Sequence, residues 1–156
     1  MANPIVLDTI DWKILRELQA NGRISNVKLA ARVGLSPPPC LRRVRTLEKA
    51  GLIGGYRAIL NAVQLGFEVE LFAMVGLGSQ SDAALKDFEA RIKGWPMVRE
   101  AYALSGEVDF ILKCIARDLH TVQEFVINEL TAAPNVDHVK TTLILRVAKY
   151  EPGLPI

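Results

Sequence analysis

Three consecutive prolines precede a cluster of basic side chains in the stretch GLSPPPCLRRVRTLEKAG, residues 34–51. Arg42, Arg43 and Arg45 carry permanent positive charge on planar donor groups, which suits them to bind phosphates and the edges of guanine bases. The same charges would also be ordinary on a solvated helix face. The elements that position these arginines therefore decide between the two interpretations.

The spacing of residues 37–49 predicts a helix with two chemically different sides, since successive side chains turn by about 100°. The apolar side is made of Cys40, Leu41, Val44 and Leu47. The polar side is made of Arg42, Arg45, Thr46 and Lys49, with Arg43 at the edge between them. Cys40 is thus expected in a core, and the arginines are expected to face outward.

The prolines fit the first turn of this helix. Ser36 stands at the expected N-cap, and Pro37 follows at the first helical position. A proline here loses no backbone hydrogen bond, whereas in a helix interior it costs about 3 kcal/mol. Because the three N–H donors are missing, this helix start cannot hold a phosphate through its backbone, and side chains must supply the contacts.

Two further helices come before this one. Asp8 can cap a helix that ends at Asn21-Gly22, and Ser25 can open a shorter helix that Gly34 closes. A basic helix joined to a preceding helix by a glycine-containing turn is typical of a helix-turn-helix, whose second helix enters the major groove of DNA. Residues 52–60 are expected to form a wing strand or a strand-like linker.

The second part of the chain alternates between strand and helix patterns. Strands are predicted at 69–77, 98–104, 110–116 and 136–147, and helices at 84–92 and 119–130. The order βαββαβ is that of an α+β, ferredoxin-like fold with two helices on one face of an antiparallel sheet. Apolar residues on the other face predict self-association, most simply as a two-fold dimer. We expect domains at 1–60 and 61–156.

Charge is unevenly divided between these parts, although the net charge is only +2. Residues 1–60 hold ten Lys and Arg against four Asp and Glu, giving +6, and the remainder has −4. This asymmetry indicates that the first part alone meets a polyanion such as double-stranded DNA, although chance scatter of surface charge would look similar. The apolar runs are too short to span a bilayer and the N-terminus lacks a secretory pattern, so we expect a cytoplasmic protein without a membrane partner.

Few residues in the sequence have the type and spacing that indicate catalysis or metal binding. The two cysteines, Cys40 and Cys114, form no C-x-x-C pair and are expected to be buried free thiols. His120 and His138 have no nucleophile or metal-ligand partner at a characteristic spacing, and no phosphate-binding or nucleophile motif occurs. We therefore expect no metal, no cofactor and no enzymatic activity.

The chain resembles the Lrp/AsnC family of bacterial and archaeal transcription regulators over nearly its whole length. The similar segments are LDTIDWKILRELQANGRIS, LAARVGLSPPPCLRRVRTLEKAGLIGGYRAILN, SGEVDF and TTLILRVAKYEPGLPI. The resemblance implies a winged helix-turn-helix joined to a ligand-sensing domain, and dimers that assemble further, often to octamers. It also implies that a free amino acid binds between sensing domains and modulates DNA binding or assembly.

The resemblance implies site residues as well. Those implied to contact DNA are Ser36, Pro38, Pro39, Arg42, Arg43, Arg45 and Thr46. Those implied to hold the effector, across subunits, are Tyr102, Ala103, Leu104, Ser105, Gly106, Glu107, Val108, Asp109, Thr141, Thr142, Leu143 and Ile144. Asp109 could receive the ammonium group or simply cap the hairpin turn. The chain departs from the family at Pro38, where a hydroxyl residue is common, and at Val108, where an aromatic is usual.

Two other functions are compatible with such a two-part fold. Haem-precursor decarboxylases resemble this family, but they are expected to lack the basic helix and to place histidines in the pocket. An amino-acid-binding interaction module with a vestigial DNA domain is the other alternative.

Overall fold

A computed structural model describes residues 6–156 and divides the chain into two compact units. The first unit runs to Ile59 and also includes Tyr150–Ile156; the second is Leu60–Lys149. The C-terminal segment thus groups with the first unit, whereas we expected it in the second. The side chain of Gln19 explains this, because its Nε2 donates to Leu154 O at 2.7 Å and its Oε1 accepts from Leu154 N at 2.9 Å.

The first unit contains the three predicted helices. They are α1 (Thr9–Ala20), α2 (Asn26–Val33) and α3 (Pro37–Lys49). Asp8 and Asp11 form a reciprocal capping box at the start of α1, Ser25 caps α2, and Gly34 ends α2 with a φ of 77°. The buried core joins the three helices and consists of Ile14, Leu29, Ala30, Val33, Cys40, Val44 and Leu47.

Leu41 was expected on the apolar side of α3 but is 38% exposed, because it lies about 100° from Cys40, at the rim of the buried stripe. Of the two alternatives for residues 52–60, the wing strand is not formed, which leaves the linker. A strand needs a hydrogen-bonded neighbour, and the only sheet in the described part of the chain is the four-stranded one of the second unit.

The second unit has the predicted βαββαβ order. Its elements are β1 (Val69–Leu77), α4 (Asp82–Ile92), β2 (Val98–Ala103), β3 (Phe110–Ala116), α5 (Leu119–Phe125), which continues as a π-helix (Val126–Leu130), and β4 (Val136–Leu143). The strands are antiparallel in the order β2-β3-β1-β4. The last strand ends before the predicted residue 147, because Leu143 pairs with Leu71 close to the start of β1.

One face of the sheet packs into the core of this unit. Leu71, Ala73 and Val75 of β1 are buried on that face, while Phe72 and Met74, between them, are half-buried on the other. Aromatic rings fill the core: Phe88 contacts Trp95 and Phe110 with centroid distances of 5.9 and 5.0 Å, and Trp95 contacts Phe125 at 5.4 Å. None of the helices within residues 6–156 has both the length and the apolar character needed to traverse a membrane.

Candidate nucleic-acid interface and effector site

The first turn of α3 differs from an ordinary helix start. Ser36 has the extended backbone of an N-cap, but its side chain makes no capping hydrogen bond. The reason is that Pro38 and Pro39 occupy the positions whose N–H groups an N-cap oxygen normally accepts from. Asn26 of α2 steadies this turn instead, since its Nδ2 donates to the carbonyl oxygen of Pro37 at 2.8 Å.

The solvent side of α3 forms a shallow, mixed surface. It is lined by Pro38, Leu41, Arg42, Arg45, Thr46, Lys49 and Ala50. The Thr46 hydroxyl donates to Arg42 O of its own helix at 3.0 Å, so its methyl group supplements the apolar part of the surface. Cationic and apolar groups on one exposed helix face are the combination that contacts phosphates, base edges and thymine methyl groups in a major groove.

Arg43 lies apart from this surface. Its Nη1 is 2.8 Å from Asp8 Oδ2 and 2.8 Å from Asp11 Oδ1. The two carboxylates raise the pKa of the Arg43 guanidinium, with the hydrogen bond to Asp11 as the largest cause. The structure therefore places Ser36, Pro38, Arg42, Arg45 and Thr46 at exposed positions, Pro39 at a half-buried one, and Arg43 in a separate ion-pair cluster.

Leu41 is a candidate contact that our sequence analysis did not assign to the surface. It lies between Pro38 and Arg45 on the outer side of α3, where an apolar side chain can contact thymine methyl groups. Its position at the edge of the apolar stripe was the signal that could have identified it.

The loop between β2 and β3, residues 104–109, contains the predicted hairpin part of the effector site. Residues 102–107 are exposed, while Val108 and Asp109 are half-buried. A Cβ atom built on Gly106 would have no neighbour within 4 Å, so a ligand can approach the backbone here.

Asp109 fixes the base of this loop. Its Oδ2 accepts from Leu77 N at 2.7 Å, its N–H donates to Val75 O at 2.9 Å, and its carbonyl accepts from Leu104 N at 2.8 Å. These bonds join the end of β1 to both ends of the loop. The Asp109 side chain therefore has a structural role at the base of the loop, through a bond to β1 rather than to the hairpin turn.

The structure does not bring the loop together with the other predicted effector residues in one chain. Thr141, Thr142 and Leu143 end β4, and Ile144 follows with its N–H donating to Glu70 O. The strand order puts β2 and β4 at opposite edges, three strand spacings or about 14 Å apart. The register also puts Ala103 and Leu143 at opposite ends of the sheet.

Comparisons with known proteins agree with both units. A sequence model of winged helix-turn-helix DNA-binding domains matches residues 7–53. The model of the Lrp/AsnC ligand binding domain matches residues 70–154. The chain belongs to the Lrp/AsnC family.

Individual relatives match over nearly the whole chain. The leucine-responsive regulatory protein of Rhizobium meliloti (strain 1021) is 61% identical over 93% of this chain and 93% of its own length. The transcriptional regulator AzlB of Bacillus subtilis (strain 168) is 35% identical over 97% of both. The crystal structure of a Neisseria meningitidis transcriptional regulator in complex with L-Met has a TM-score of 0.92 and 37% identity, covering 96% of this chain and 97% of that one.

The predicted fold and function are confirmed by these matches. The chain is a DNA-binding transcription regulator with an amino-acid-responsive ligand-binding domain. The family and the relatives named above are transcription regulators.

Proposed function

We propose that this regulator binds operator DNA through the outer face of α3. The set we assign to DNA contact is Ser36, Pro38, Pro39, Arg42, Arg45 and Thr46, together with Leu41. The observation that supports it best is the exposure of Arg42 and Arg45 on the side of α3 opposite the buried Cys40 and Val44. These side chains have to supply the affinity because the proline-rich helix start offers few backbone donors.

Salt-dependent binding tests this assignment. The probe is a duplex recovered from a random-sequence library by the wild-type chain, and anisotropy gives its dissociation constant at several salt concentrations. Arg42→Ala and Arg45→Ala should each weaken binding and lower the slope of log affinity against log salt by about one, the effect of losing one phosphate contact. Lys86→Ala, which changes the charge equally in α4, is the matched control. Unchanged affinity in both arginine variants would exclude this face.

Pro38 gives a finer test of sequence preference. The family resemblance implies a hydroxyl where this chain has an apolar ring, so we expect Pro38→Thr to select a different consensus from the same random library. An identical consensus would remove Pro38 from the residues that set specificity.

We further propose that the effector is a free amino acid held between two copies of the chain. One copy supplies residues 102–109 and another supplies Thr141–Ile144, since the two sets lie at opposite corners of one sheet. The L-Met complex of the Neisseria meningitidis regulator supports an amino acid of this kind as the ligand. Such a site requires at least a dimer, and we propose a dimer that assembles further, to an octamer.

A thermal-shift screen against the twenty amino acids identifies the effector, because a ligand present at about 100 times its dissociation constant adds about 2.7 kcal/mol of stability.

Two variants test the residues of the site. Asp109→Asn keeps an oxygen for Leu77 N but removes the charge that would attract an ammonium group. We expect this variant to fold normally and to lose the shift, and Thr142→Val to lose it too. A full shift in both variants would place the effector elsewhere, and a monomer by light scattering would contradict the shared site.

We propose a cytoplasmic location on the basis of the function, since a transcription regulator of this family has to reach chromosomal DNA. Fractionation of cells that produce the tagged chain checks this, and recovery outside the cytoplasmic fraction would contradict it.

A further inference from the structure

We infer that Arg43 is a positioning residue that fixes α3 against the start of α1, and that it does not contact DNA. The inference rests on the proposed DNA face, because it explains how that face is oriented. This role differs from the one proposed for Arg42 and Arg45, although the sequence alone groups the three arginines together.

The contact joins two elements that are distant in the sequence. Arg43 lies in the middle of α3, while Asp8 and Asp11, 35 and 32 residues away, are the N-cap and the third residue of α1. The same two aspartates form the capping box, in which Asp8 Oδ1 accepts from Asp11 N at 2.9 Å. Arg43 therefore binds the one place where the start of α1 is already fixed by hydrogen bonds.

The direction of the side chain argues against a shared role with Arg45. Two residue steps along α3 rotate the side chain by about 200°, so Arg43 and Arg45 leave the helix about 160° apart. A phosphate bound at Arg45 thus lies on the far side of α3 from Arg43. Reaching it would also require Arg43 to give up two charge-assisted hydrogen bonds and would leave two carboxylates without their cation.

Apolar packing alone does not fix the angle of α1 closely. Ile14 is its one fully buried residue, while Ile10, Leu15 and Leu18 pack against the same core partly exposed, and burial of apolar surface is not directional. Hydrogen bonds from one guanidinium to two carboxylates fix both distance and angle. We expect that breaking them lets α3 shift relative to α1, so that Arg42 and Arg45 meet the DNA in poorer register.

The sign of the effect of Asp11→Asn distinguishes this role from simple electrostatics. The variant removes a negative charge from a basic unit, so a purely electrostatic account predicts tighter binding to DNA. The positioning account predicts weaker binding, because asparagine offers one uncharged oxygen to the two donors, Arg43 Nη1 and Asp8 N, that the Asp11 carboxylate now accepts from.

The experiment compares Arg43→Met, Asp11→Asn, their double variant and Arg45→Ala in the full chain, with the library-selected duplex as probe. Circular dichroism melts establish that each variant is folded, and binding is measured well below the lowest midpoint. We expect Arg43→Met and Asp11→Asn each to weaken binding by about five- to tenfold with the salt slope of the wild type. The double variant should be no weaker than Arg43→Met alone, since that substitution already removes the contacts to both aspartates.

Three results would overturn the inference. They are a salt slope lowered by about one in Arg43→Met, tighter binding by Asp11→Asn, and wild-type affinity in Arg43→Met. If the proposed DNA face itself is wrong, Arg45→Ala will bind DNA with the affinity and the salt slope of the wild type, which none of these three results includes.

Discussion

The described core of the first unit is aliphatic apart from Cys40, whereas the core of the second is built around Phe88, Trp95, Phe110 and Phe125. In the first unit, surface contacts tie together segments that are distant in the sequence, including the Arg43 cluster and the two hydrogen bonds between Gln19 and Leu154. The second unit relies on strand pairing and on aromatic rings that meet tilted or edge to face. Side-chain contacts at the surface thus orient the DNA-binding helices, whereas backbone pairing and an aromatic core hold the sensing sheet.

The largest expected effect is on the aromatic core. Phe110 is 2% exposed and packs against Phe88, so Phe110→Ala should cost about 3 to 5 kcal/mol. In a Trp12→Phe background, Trp95 fluorescence follows the second unit in urea. We expect Phe110→Ala to lower the urea concentration at the midpoint of unfolding substantially. An unchanged midpoint would mean that the aromatic rings do not stabilise this unit.

The reactivity of the two buried thiols should show which unit opens more readily. Burial raises the pKa of the Cys40 thiol, and it raises that of Cys114 to about 11, so both should react with iodoacetamide only when their units open. Because the first unit lacks the aromatic core, we expect Cys40 to react about tenfold faster, a difference of about 1.4 kcal/mol in opening. Peptide mass mapping measures both rates, and faster labelling of Cys114 would reverse the ranking.

The C-terminal segment offers a smaller effect. Gly153 has a φ of 139°, and a Cβ there would lie 2.7 Å from Gln19 Cδ, so Gly153→Ala should weaken the docking by about 1 kcal/mol. Hydrogen exchange at the Leu154 amide reports the loss. Gly54→Ala, where a Cβ would meet no atom within 4 Å, is the control. Equal exchange in wild type and Gly153→Ala would show that this segment is not held as described.

The smallest effect concerns the start of α1. The backbone N–H of Asp11 is the largest cause that lowers the pKa of Asp8, with Arg43 adding to it. Since the folded-state pKa lies below the unfolded one, Asp8 stabilises the fold above about pH 4 and loses this as pH falls through the folded value. Asp8→Asn keeps a good N-cap residue, so its melting temperature should converge with that of the wild type at acidic pH. A constant difference would contradict this.

Local patterns predicted most of the fold. Cap residues and apolar spacing marked α1, α2 and α3, and continuous apolar runs marked β1 and β3, whose bounds match the structure. These features depend on residues close in the sequence. The end of β4 was missed because it depends on where its partner β1 begins.

The candidate sites were predicted less completely, because their geometry depends on distant contacts. Nothing within α3 indicates that Arg43 meets Asp8 and Asp11 of another helix. The resemblance assigns the effector residues of β2 and β4 to different subunits, and the strand order gives the physical reason, since one chain holds them at opposite edges of its sheet.

We expect an amino acid bound by the second unit to change the affinity of the first unit for DNA. Titrating the selected duplex with the full chain, with and without the saturating effector, measures this coupling directly. The account predicts a change of about 5- to 150-fold, with the duplex changing the affinity for the amino acid by the same factor. An amino acid that binds while the affinity for DNA stays the same would contradict it.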